Sequence, residues 1–193
     1  MYSKNKDYKN LLTYSNNVFS QNGEDGIIRE ILKRLSLEKK EKSWCVEFGA
    51  WDGIYLSNTF NLVKQGWEAI YIEGEPKRFK TLLKTSSIYK NIKPVNAFVS
   101  KNEDSKESLD NILKKTKVPE SFDLLSIDID TFDLEVWESL KVYKPKIVII
   151  EINSSYLPGI INWHSNKNKK ANGNSFSATL CVAKKKGYKL ICH

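Results

Sequence analysis

The 193-residue chain is 40% hydrophobic and 28% charged, which allows one domain with a sizeable core and excludes a disordered or fibrous protein. Its formal net charge of +8 comes from 31 cationic residues, of which only Arg29, Arg34 and Arg78 are arginines. Because forked contacts to phosphate and guanine are made mainly by Arg, we favour a lysine-coated exterior over a surface for nucleic acid.

Helical and strand patterns alternate along the chain. Apolar residues at helical spacing predict a helix over 24–35, and a buried strand follows at 44–49. The alternation continues with helices at 57–66, 76–85, 105–115, 133–140 and 175–186, and strands at 67–73, 94–99, 122–129, 146–152 and 187–192. Continuous apolar strands with helices between them indicate a parallel sheet covered on both faces. We therefore predict an α/β, doubly wound, Rossmann-like sheet with ligands beyond the carboxyl ends of its strands.

The first strand ends in an acid and a glycine-containing turn. Glu47 is followed by Gly49 and Gly53, and glycines at this point let the backbone approach a bound nucleotide closely. The GxGxxG turn that cradles a pyrophosphate is absent, and so is the GxxxxGK[ST] motif. A tight turn from strand to helix would explain the same glycines without a ligand.

The second strand also ends in an acid, Glu73, twenty residues after Gly53. A carboxylate at that distance can accept both hydroxyls of a ribose. Together the two strand ends indicate a nucleoside ligand without a pyrophosphate, of which S-adenosylmethionine is the common case, with Glu47 near its amino group. A surface carboxylate at a strand end is the alternative for Glu73.

Polar side chains follow the fourth and fifth predicted strands. Asp128, Asp130 and Asp133 follow the fourth, and Glu151 and Asn153 follow the fifth. Because side chains alternate along a strand, Asp128 and Asp130 share one side, as do Glu151 and Asn153, so these four should meet at one crevice. All-oxygen ligands suit Mg²⁺ or Ca²⁺, with Asp128 and Glu151 as candidate ligands, or the cluster could instead take a proton from a substrate hydroxyl. Asp133 is a natural helix N-cap.

The polar segment 153–173 is predicted to be a mobile substrate loop. Its His164 is a candidate general base, and an ordinary exposed loop histidine is the alternative. Trp51 and Trp163 could stack on an adenine or a sugar, although packing is the more common role for both.

Several stretches together carry a family resemblance. They are FSQNGEDGIIREIL from Phe19, then VEFGAWDG, SNT, a strand ending in an acid, LLSIDIDTFD, IVIIEIN, and a late SFSATL followed by KKKGYKL. This combination resembles the FkbM-type S-adenosylmethionine-dependent methyltransferases over nearly the whole chain from Phe19. The resemblance implies a single class I methyltransferase domain over 1–193, with 1–20 as an N-terminal arm, that methylates hydroxyls of sugars or other small molecules.

The resemblance also implies which residues form the site. The implied cofactor contacts are Gln21, Glu47, Gly49, Ala50, Gly53, Asn58, Glu73, Ala97 and Phe98, with the last two near the adenine. The candidate catalytic residues are those argued from the strand ends and the loop: Asp128, Asp130, Glu151, Asn153 and His164. The implied cofactor is S-adenosylmethionine, and Mg²⁺ at the acidic cluster stays an open alternative.

The chain departs from the family pattern at two points. Family members commonly read DxEG where this chain has Asp128-Ile129-Asp130-Thr131, so Thr131 stands in place of the glycine. The class I sheet has a seventh strand, antiparallel beside strand five, whereas this sequence stops at His193 directly after its predicted sixth strand. We therefore expect a sheet that lacks its last strand, with an open edge that allows a homo-oligomer.

Partners and setting follow from composition. No apolar run approaches the ~20 residues of a membrane helix and the N-terminus lacks a signal-peptide core, so we expect no membrane partner. Three scattered cysteines favour a reducing, cytoplasmic setting. The alternative function is a non-catalytic nucleotide- or nucleic-acid-binding module on the same fold, which Lys167, Lys169 and Lys170 favour. A nucleic-acid amino-group methylase is disfavoured, since no DPPY- or NPPY-like tetrad follows strand four.

Overall fold

The computed structural model describes residues 10–37, 42–164 and 173–193. Within these ranges one sheet contains the strands β1 (Trp44–Phe48), β2 (Glu68–Glu73), β3 (Ile92–Asn96), β4 (Leu124–Ile127) and β5 (Ile147–Ile150). The helices are α1 (Glu24–Arg34), α2 (Phe60–Lys64), α3 (Pro76–Ile88), α4 (Leu109–Leu113), α5 (Asp133–Ser139) and α6 (Phe176–Lys185), and a short 3-10 helix (Leu11–Tyr14) precedes α1.

The strands lie in the order β3-β2-β1-β4-β5, and every neighbouring pair is parallel. The chain therefore starts at the centre of the sheet, builds outward through β2 and β3, and crosses to the other side of β1 with β4. This doubly wound arrangement confirms the predicted α/β fold class. The direction of winding reverses between β1 and β4, which is where ligands bind in open α/β sheets.

Side chains of the sheet alternate between two apolar clusters, one on each face. On β1, Val46 and Phe48 belong to one cluster and Cys45 belongs to the other. The first cluster includes residues of α4, α5 and α6, and the second includes residues of α1, α2 and α3. Because helices cover both faces, the strands have few positions for polar side chains, which explains their continuous apolar runs.

Some boundaries differ from the prediction. The strand predicted at 94–99 runs instead over Ile92–Asn96, so Ala97 and Phe98 lie beyond its end. The helix predicted at 105–115 is reduced to Leu109–Leu113, because the Ser108 hydroxyl caps it by accepting the N–H of Asn111. Among the described helices, none combines the length and apolar character needed to cross a bilayer.

The prediction of a sixth strand at 187–192 is wrong, since these residues form no strand. The Tyr188 ring instead packs edge-on against Trp137 of α5, and its hydroxyl donates to the carbonyl of Pro145. Leu190 and Ile191 are 53% and 55% exposed. The segment predicted as a strand is therefore packed against α5 through Tyr188.

The predicted substrate loop at 153–173 is described only in part. Residues 165–172, which include Lys167, Lys169 and Lys170, lie outside the described residues, as do residues 1–9 of the predicted N-terminal arm. The described part of the loop is fixed to the start of α6 by backbone hydrogen bonds. The N–H of Asn153 donates to the carbonyl of Asn174 at 2.8 Å, and the N–H of Ser175 donates to the carbonyl of Asn162 at 2.9 Å.

Candidate functional site

A cleft of about 580 Å³ opens at the carboxyl ends of β1, β2 and β4, where the winding of the sheet reverses. Most of the residues expected at a site from the sequence line it. These are Gln21, Glu47, Gly49, Asn58, Glu73, Ala97, Phe98, Asp128, Asp130 and Glu151. The structure therefore brings together residues from six separate parts of the chain.

Ala50 and Gly53 are not among the residues that line this cleft. Ala50 is buried, and its N–H donates to the carbonyl of Ile72. Gly53 has a φ of +80°, and a Cβ there would lie 2.8 Å from Leu82 and 3.1 Å from Tyr71. Both residues shape the turn after β1, and a tight turn is the alternative that the sequence left open for Gly53.

Asn153 and His164 also lie away from the cleft lining. The side-chain oxygen of Asn153 accepts the N–H of Ser155. His164 is buried, accepts the N–H of Gly173 on Nδ1 at 3.2 Å, and packs edge-to-face on Phe132 with 4.7 Å between ring centroids. Because Phe132 itself lines the cleft, the imidazole supports the cleft wall from behind and does not face its interior.

Glu47, near the end of β1, is held by three donors on one oxygen. Its Oε2 accepts the hydroxyl of Ser57 at 2.9 Å, the hydroxyl of Thr59 at 2.5 Å and the N–H of Thr59 at 3.1 Å. Burial raises the pKa of Glu47 to about 7, and these hydrogen bonds oppose that rise. Glu47 is only 6% exposed and lines the cleft, so a nearly buried carboxyl is presented there in a fixed orientation.

Glu73, the last residue of β2, is fixed through both oxygens. Oε2 accepts the N–H of Trp51 at 2.9 Å, and Oε1 accepts the N–H of Glu75 at 2.7 Å. The carboxylate therefore joins the turn after β1 to the start of α3. Each oxygen has a second lone pair for a ligand donor, and the side chain is 5% exposed at the cleft.

Gly49 follows β1 at the cleft and lies against Asp128, which follows β4. Its φ is +79°, and a Cβ on it would be 1.7 Å from the carbonyl oxygen of Asp128. A side chain at this position is excluded by the neighbouring strand as well as by the backbone conformation. The sequence assigned Gly49 to the close approach of a ligand, and the packing of the backbone also requires a glycine there.

The acidic end of the cleft is formed by Asp128, Asp130 and Glu151, whose carboxylate oxygens lie within 4.8 Å of one another. Burial, with repulsion from Asp130, Asp133 and Glu24, raises the pKa of Asp128 to about 6. Burial, with repulsion from Asp128 and Asp130, raises the pKa of Glu151 to about 7. Near neutral pH these groups can therefore exchange a proton or share a cation.

Strand alternation is not what brings Asp128 and Asp130 together, because β4 already ends at Ile127. Asp130 has a φ of +62°, and the loop that contains it is held by Asp133. The buried Asp133 carboxylate accepts the N–H of Ile129 at 2.7 Å and the N–H of Thr131 at 3.0 Å. Asp133 is the first residue of α5 and not, as the sequence predicted, its N-cap. Its carboxylate instead stabilises the loop that precedes the helix.

One wall of the cleft was missed by the sequence reasoning. The Arg78 guanidinium lies 4.0 Å from the centroid of the Trp51 ring, and Tyr55 packs edge-on against Trp51. Trp51 and Leu56 have positive φ angles of 49° and 55°, and such strain in non-glycine residues concentrates at functional sites. Of the described residues that line the cleft, Arg78 is the only cation. The one sequence signal for it was its position in the first turn of the helix after Glu73.

This chain shows only limited similarity to known proteins. No protein-family model and no curated protein matches the chain, so the resemblance to FkbM-type methyltransferases stays a prediction. TrmK of M. capricolum in complex with S-adenosyl-homocysteine is 16% identical with a TM-score of 0.39, over 62% of this chain and 50% of that one. The glycopeptide N-methyltransferase MtfA complexed with sinefungin is 14% identical with a TM-score of 0.42, over 74% of this chain and 55% of that one. The N-terminal domain of EvdMO1 with S-adenosyl-homocysteine bound is 12% identical with a TM-score of 0.42, over 81% of this chain and 69% of that one. The chain thus spans about half the length of TrmK and MtfA.

Proposed function

We propose that this chain is an S-adenosylmethionine-dependent methyltransferase that methylates a hydroxyl of a sugar or another small-molecule acceptor. The observation that carries the proposal is a pair of nearly buried carboxylates, Glu47 and Glu73, which end neighbouring strands and face one cleft. Buried carboxylates without a cationic partner are costly, so their position at a ligand-sized opening favours a ligand that donates hydrogen bonds or carries positive charge.

The donor and acceptor groups of the cleft fit this cofactor. Glu73 is held by two backbone N–H groups, which leaves lone pairs on both oxygens for the two hydroxyls of a ribose. Glu47 offers a carboxylate to an ammonium group. Phe98 is 72% exposed beside the cleft and packs over Gly74, so an aromatic face is available to an adenine. Gly49 leaves the backbone between these groups free of a side chain.

Bound S-adenosylmethionine would supply a methyl group on a sulfonium, and the chain would supply alignment and a proton acceptor. In an in-line displacement most of the catalytic gain comes from alignment of the nucleophile with the methyl group. The acceptor hydroxyl loses its proton as the oxygen–methyl bond forms. We assign that proton to Asp128 or Glu151, whose raised pKa values of about 6 and 7 suit uptake near neutral pH. His164 is not used, because it packs behind Phe132.

A divalent cation is an alternative way for the same cluster to act. Asp128, Asp130 and Glu151 offer only oxygen atoms, within 4.8 Å of one another, and such a set suits Mg²⁺ better than Zn²⁺. A cation held by them would lower the pKa of a hydroxyl beside it. The cluster would then bind the metal instead of taking the proton itself.

Calorimetry with the unreactive product S-adenosylhomocysteine tests the cofactor directly, with NAD titrated in parallel. We expect S-adenosylhomocysteine to bind and NAD not to bind. Glu73→Ala should weaken binding by about tenfold or more, because it removes two charge-assisted hydrogen bonds. Glu107→Ala, an exposed acid that does not line the cleft, is the matched control and should bind as the wild type does.

Absence of S-adenosylhomocysteine binding, or binding of NAD, would overturn the cofactor assignment. Methyl transfer from S-adenosylmethionine is then followed by mass spectrometry on a panel of sugars and their amino analogues, which separates oxygen from nitrogen acceptors. Steeply salt-dependent binding of DNA or RNA without methyl transfer would instead favour a non-catalytic binding module.

A further inference from the structure

Three buried side chains connect the cleft to the interior of the sheet. Glu47 Oε2 and the Thr59 hydroxyl are 2.5 Å apart, and the same hydroxyl lies 2.8 Å from the hydroxyl of Tyr71. Tyr71 is on β2 and is fully buried in the apolar cluster that α1, α2 and α3 cover. The chain of hydrogen bonds thus runs from a residue that no ligand reaches to a carboxyl group at the cleft.

The Thr59 hydroxyl has a single proton to donate, so the series of hydrogen bonds from Tyr71 to Glu47 has a direction. When Glu47 is ionised, Tyr71 donates to Thr59, and Thr59 donates to Glu47, so every hydroxyl has an acceptor. When Glu47 carries a proton on Oε2, the direction reverses and the Tyr71 proton loses Thr59 as its acceptor. Thr59 gives the Tyr71 hydroxyl its 2.8 Å hydrogen bond, and Ser57 is a second partner of the same hydroxyl. The reversal therefore weakens the pairing of a buried donor, which is costly.

We propose that Tyr71 and Thr59 are positioning residues that keep the Glu47 carboxylate ionised and oriented for the ammonium group of the bound ligand. Ser57 and the N–H of Thr59 add two further donors to the same oxygen. The proposal rests on the proposed function in one respect, since the ammonium group is that of S-adenosylmethionine. Its account of the carboxylate concerns the free protein and does not depend on a ligand.

The groups that face Glu47 have unequal effects. Burial raises the pKa of Glu47 to about 7, the hydrogen bonds from Thr59 and Ser57 lower it, and the charge of Asp128 raises it. Burial also raises the pKa of the Cys45 thiol and of the Tyr71 hydroxyl, so both remain neutral at ordinary pH. Near neutrality the charge at this point of the cleft is therefore set by Glu47 and Asp128.

The test is a ¹³C NMR titration of the Glu47 side-chain carboxyl in the free protein. For the wild type we expect a midpoint near pH 7. Thr59→Val should raise that midpoint by about one pH unit, because one charge-assisted hydrogen bond is lost. Tyr71→Phe should raise it by a few tenths of a unit, because Tyr71 acts through Thr59 by polarising its hydroxyl. Thr59→Ser keeps the hydroxyl and should restore the wild-type midpoint.

Tyr188→Phe is the matched control for the tyrosine change. It also removes a hydroxyl hydrogen bond, to the carbonyl of Pro145, but Tyr188 packs against the other cluster. It should lower stability without moving the midpoint. The same variants are then titrated with S-adenosylhomocysteine from pH 5.5 to 8.5, and the pH dependence of the affinity should move with the midpoint of Glu47.

Unchanged Glu47 midpoints in both Thr59→Val and Tyr71→Phe would overturn the positioning role. If Tyr71→Phe does not fold, Thr59→Val and Thr59→Ser decide the question by themselves. Shifted midpoints together with no binding of S-adenosylhomocysteine would refute the proposed function and leave the positioning of Glu47 established. One set of samples therefore distinguishes a failure of the positioning role from a failure of the proposed function.

Discussion

Desolvation of the carboxyl groups at the acidic end of the cleft, together with their mutual repulsion, should make the protein less stable as the pH rises. In the unfolded chain Asp and Glu ionise near pH 4, whereas the folded protein raises the pKa of Asp128 to about 6 and of Glu151 to about 7. The folded state therefore binds more protons than the unfolded state between roughly pH 4 and 7, and the free energy of unfolding falls across that window. Glu151→Gln removes one of the charges with little change in shape. We expect it to stabilise the protein most above about pH 7, and progressively less as the pH falls toward about 4.

The size of the effect follows from the separation of the carboxylates. At 4.8 Å, the distance within which the three carboxylate oxygens lie, two unit charges interact by about 0.9 kcal/mol in water and about 3.5 kcal/mol at an effective dielectric constant of 20. All three residues keep exposed surface, although the cleft partly desolvates the carboxyl groups of Asp128 and Glu151. Solvent screening therefore favours the lower value. Glu151 faces two acids, and the expected gain is roughly 1–2 kcal/mol. That corresponds to a rise in melting temperature of about 2–8 °C for a domain of this size.

Urea unfolding of the wild type and Glu151→Gln at pH 8.5 and pH 5.0 measures this difference. At pH 5.0 Asp128 and Glu151 are largely protonated in the folded protein, so most of the repulsion is absent and the variant should gain much less than at pH 8.5. Glu107→Gln makes the same chemical change at an exposed position outside the cleft and should leave the stability unchanged at both pH values. An equal gain at both pH values, or the same gain in Glu107→Gln, would refute the repulsion argument.

The same samples test the divalent cation. Adding 10 mM Mg²⁺ (about tenfold above a millimolar Kd) at pH 8.5 should raise the stability of the wild type by about 1.4 kcal/mol, through binding to the folded state alone. The rise should be largely lost in Glu151→Gln. A wild type that does not respond to Mg²⁺ would contradict the cation alternative, while the direct proton transfer to Asp128 or Glu151 would remain.

Two further predictions concern the framework of the site. Gly49→Ala would place a Cβ 1.7 Å from the carbonyl oxygen of Asp128, so it should cost more than about 3 kcal/mol or prevent folding. Gly66→Ala, with positive φ but no neighbouring atom within 4 Å, should cost only about 1–2 kcal/mol in the same denaturant assay. Asp25→Ala should expose amides 18–20, which donate to Asp25 Oδ2 at 2.7–2.9 Å, and lower stability by about 3 kcal/mol. Faster hydrogen exchange at those amides supports this, and unchanged exchange contradicts it.

Local pattern in the sequence was sufficient for the elements of the fold and for the strand-end residues of the site. A strand covered on both faces must be apolar throughout, so β1, β2, β4 and β5 could be recognised from composition alone. Parallel strands place their carboxyl ends at one edge of the sheet. Residues at those ends, among them Glu47, Glu73 and Asp128, could therefore be assigned to one crevice without coordinates.

Residues beyond the strand ends could not be placed in this way, because their positions depend on contacts with distant parts of the chain. His164 packs behind Phe132, and Tyr188 packs on Trp137 where a strand was predicted. Neither contact leaves a local signal in the sequence.

The hydrogen bonds from Tyr71 through Thr59 to Glu47 show the same difference between what the sequence reveals and what the tertiary structure reveals. An acid at the end of β1 is visible in the sequence, but its partner Thr59 follows twelve residues later and Tyr71 another twelve after that. The sequence by itself determined the doubly wound sheet and which acids end its strands. Only the tertiary structure decided which neighbouring groups set the charge of those acids and which side chains lie behind the cleft wall. Secondary structure follows from short-range periodicity, whereas hydrogen bonds and desolvation depend on what folding brings alongside.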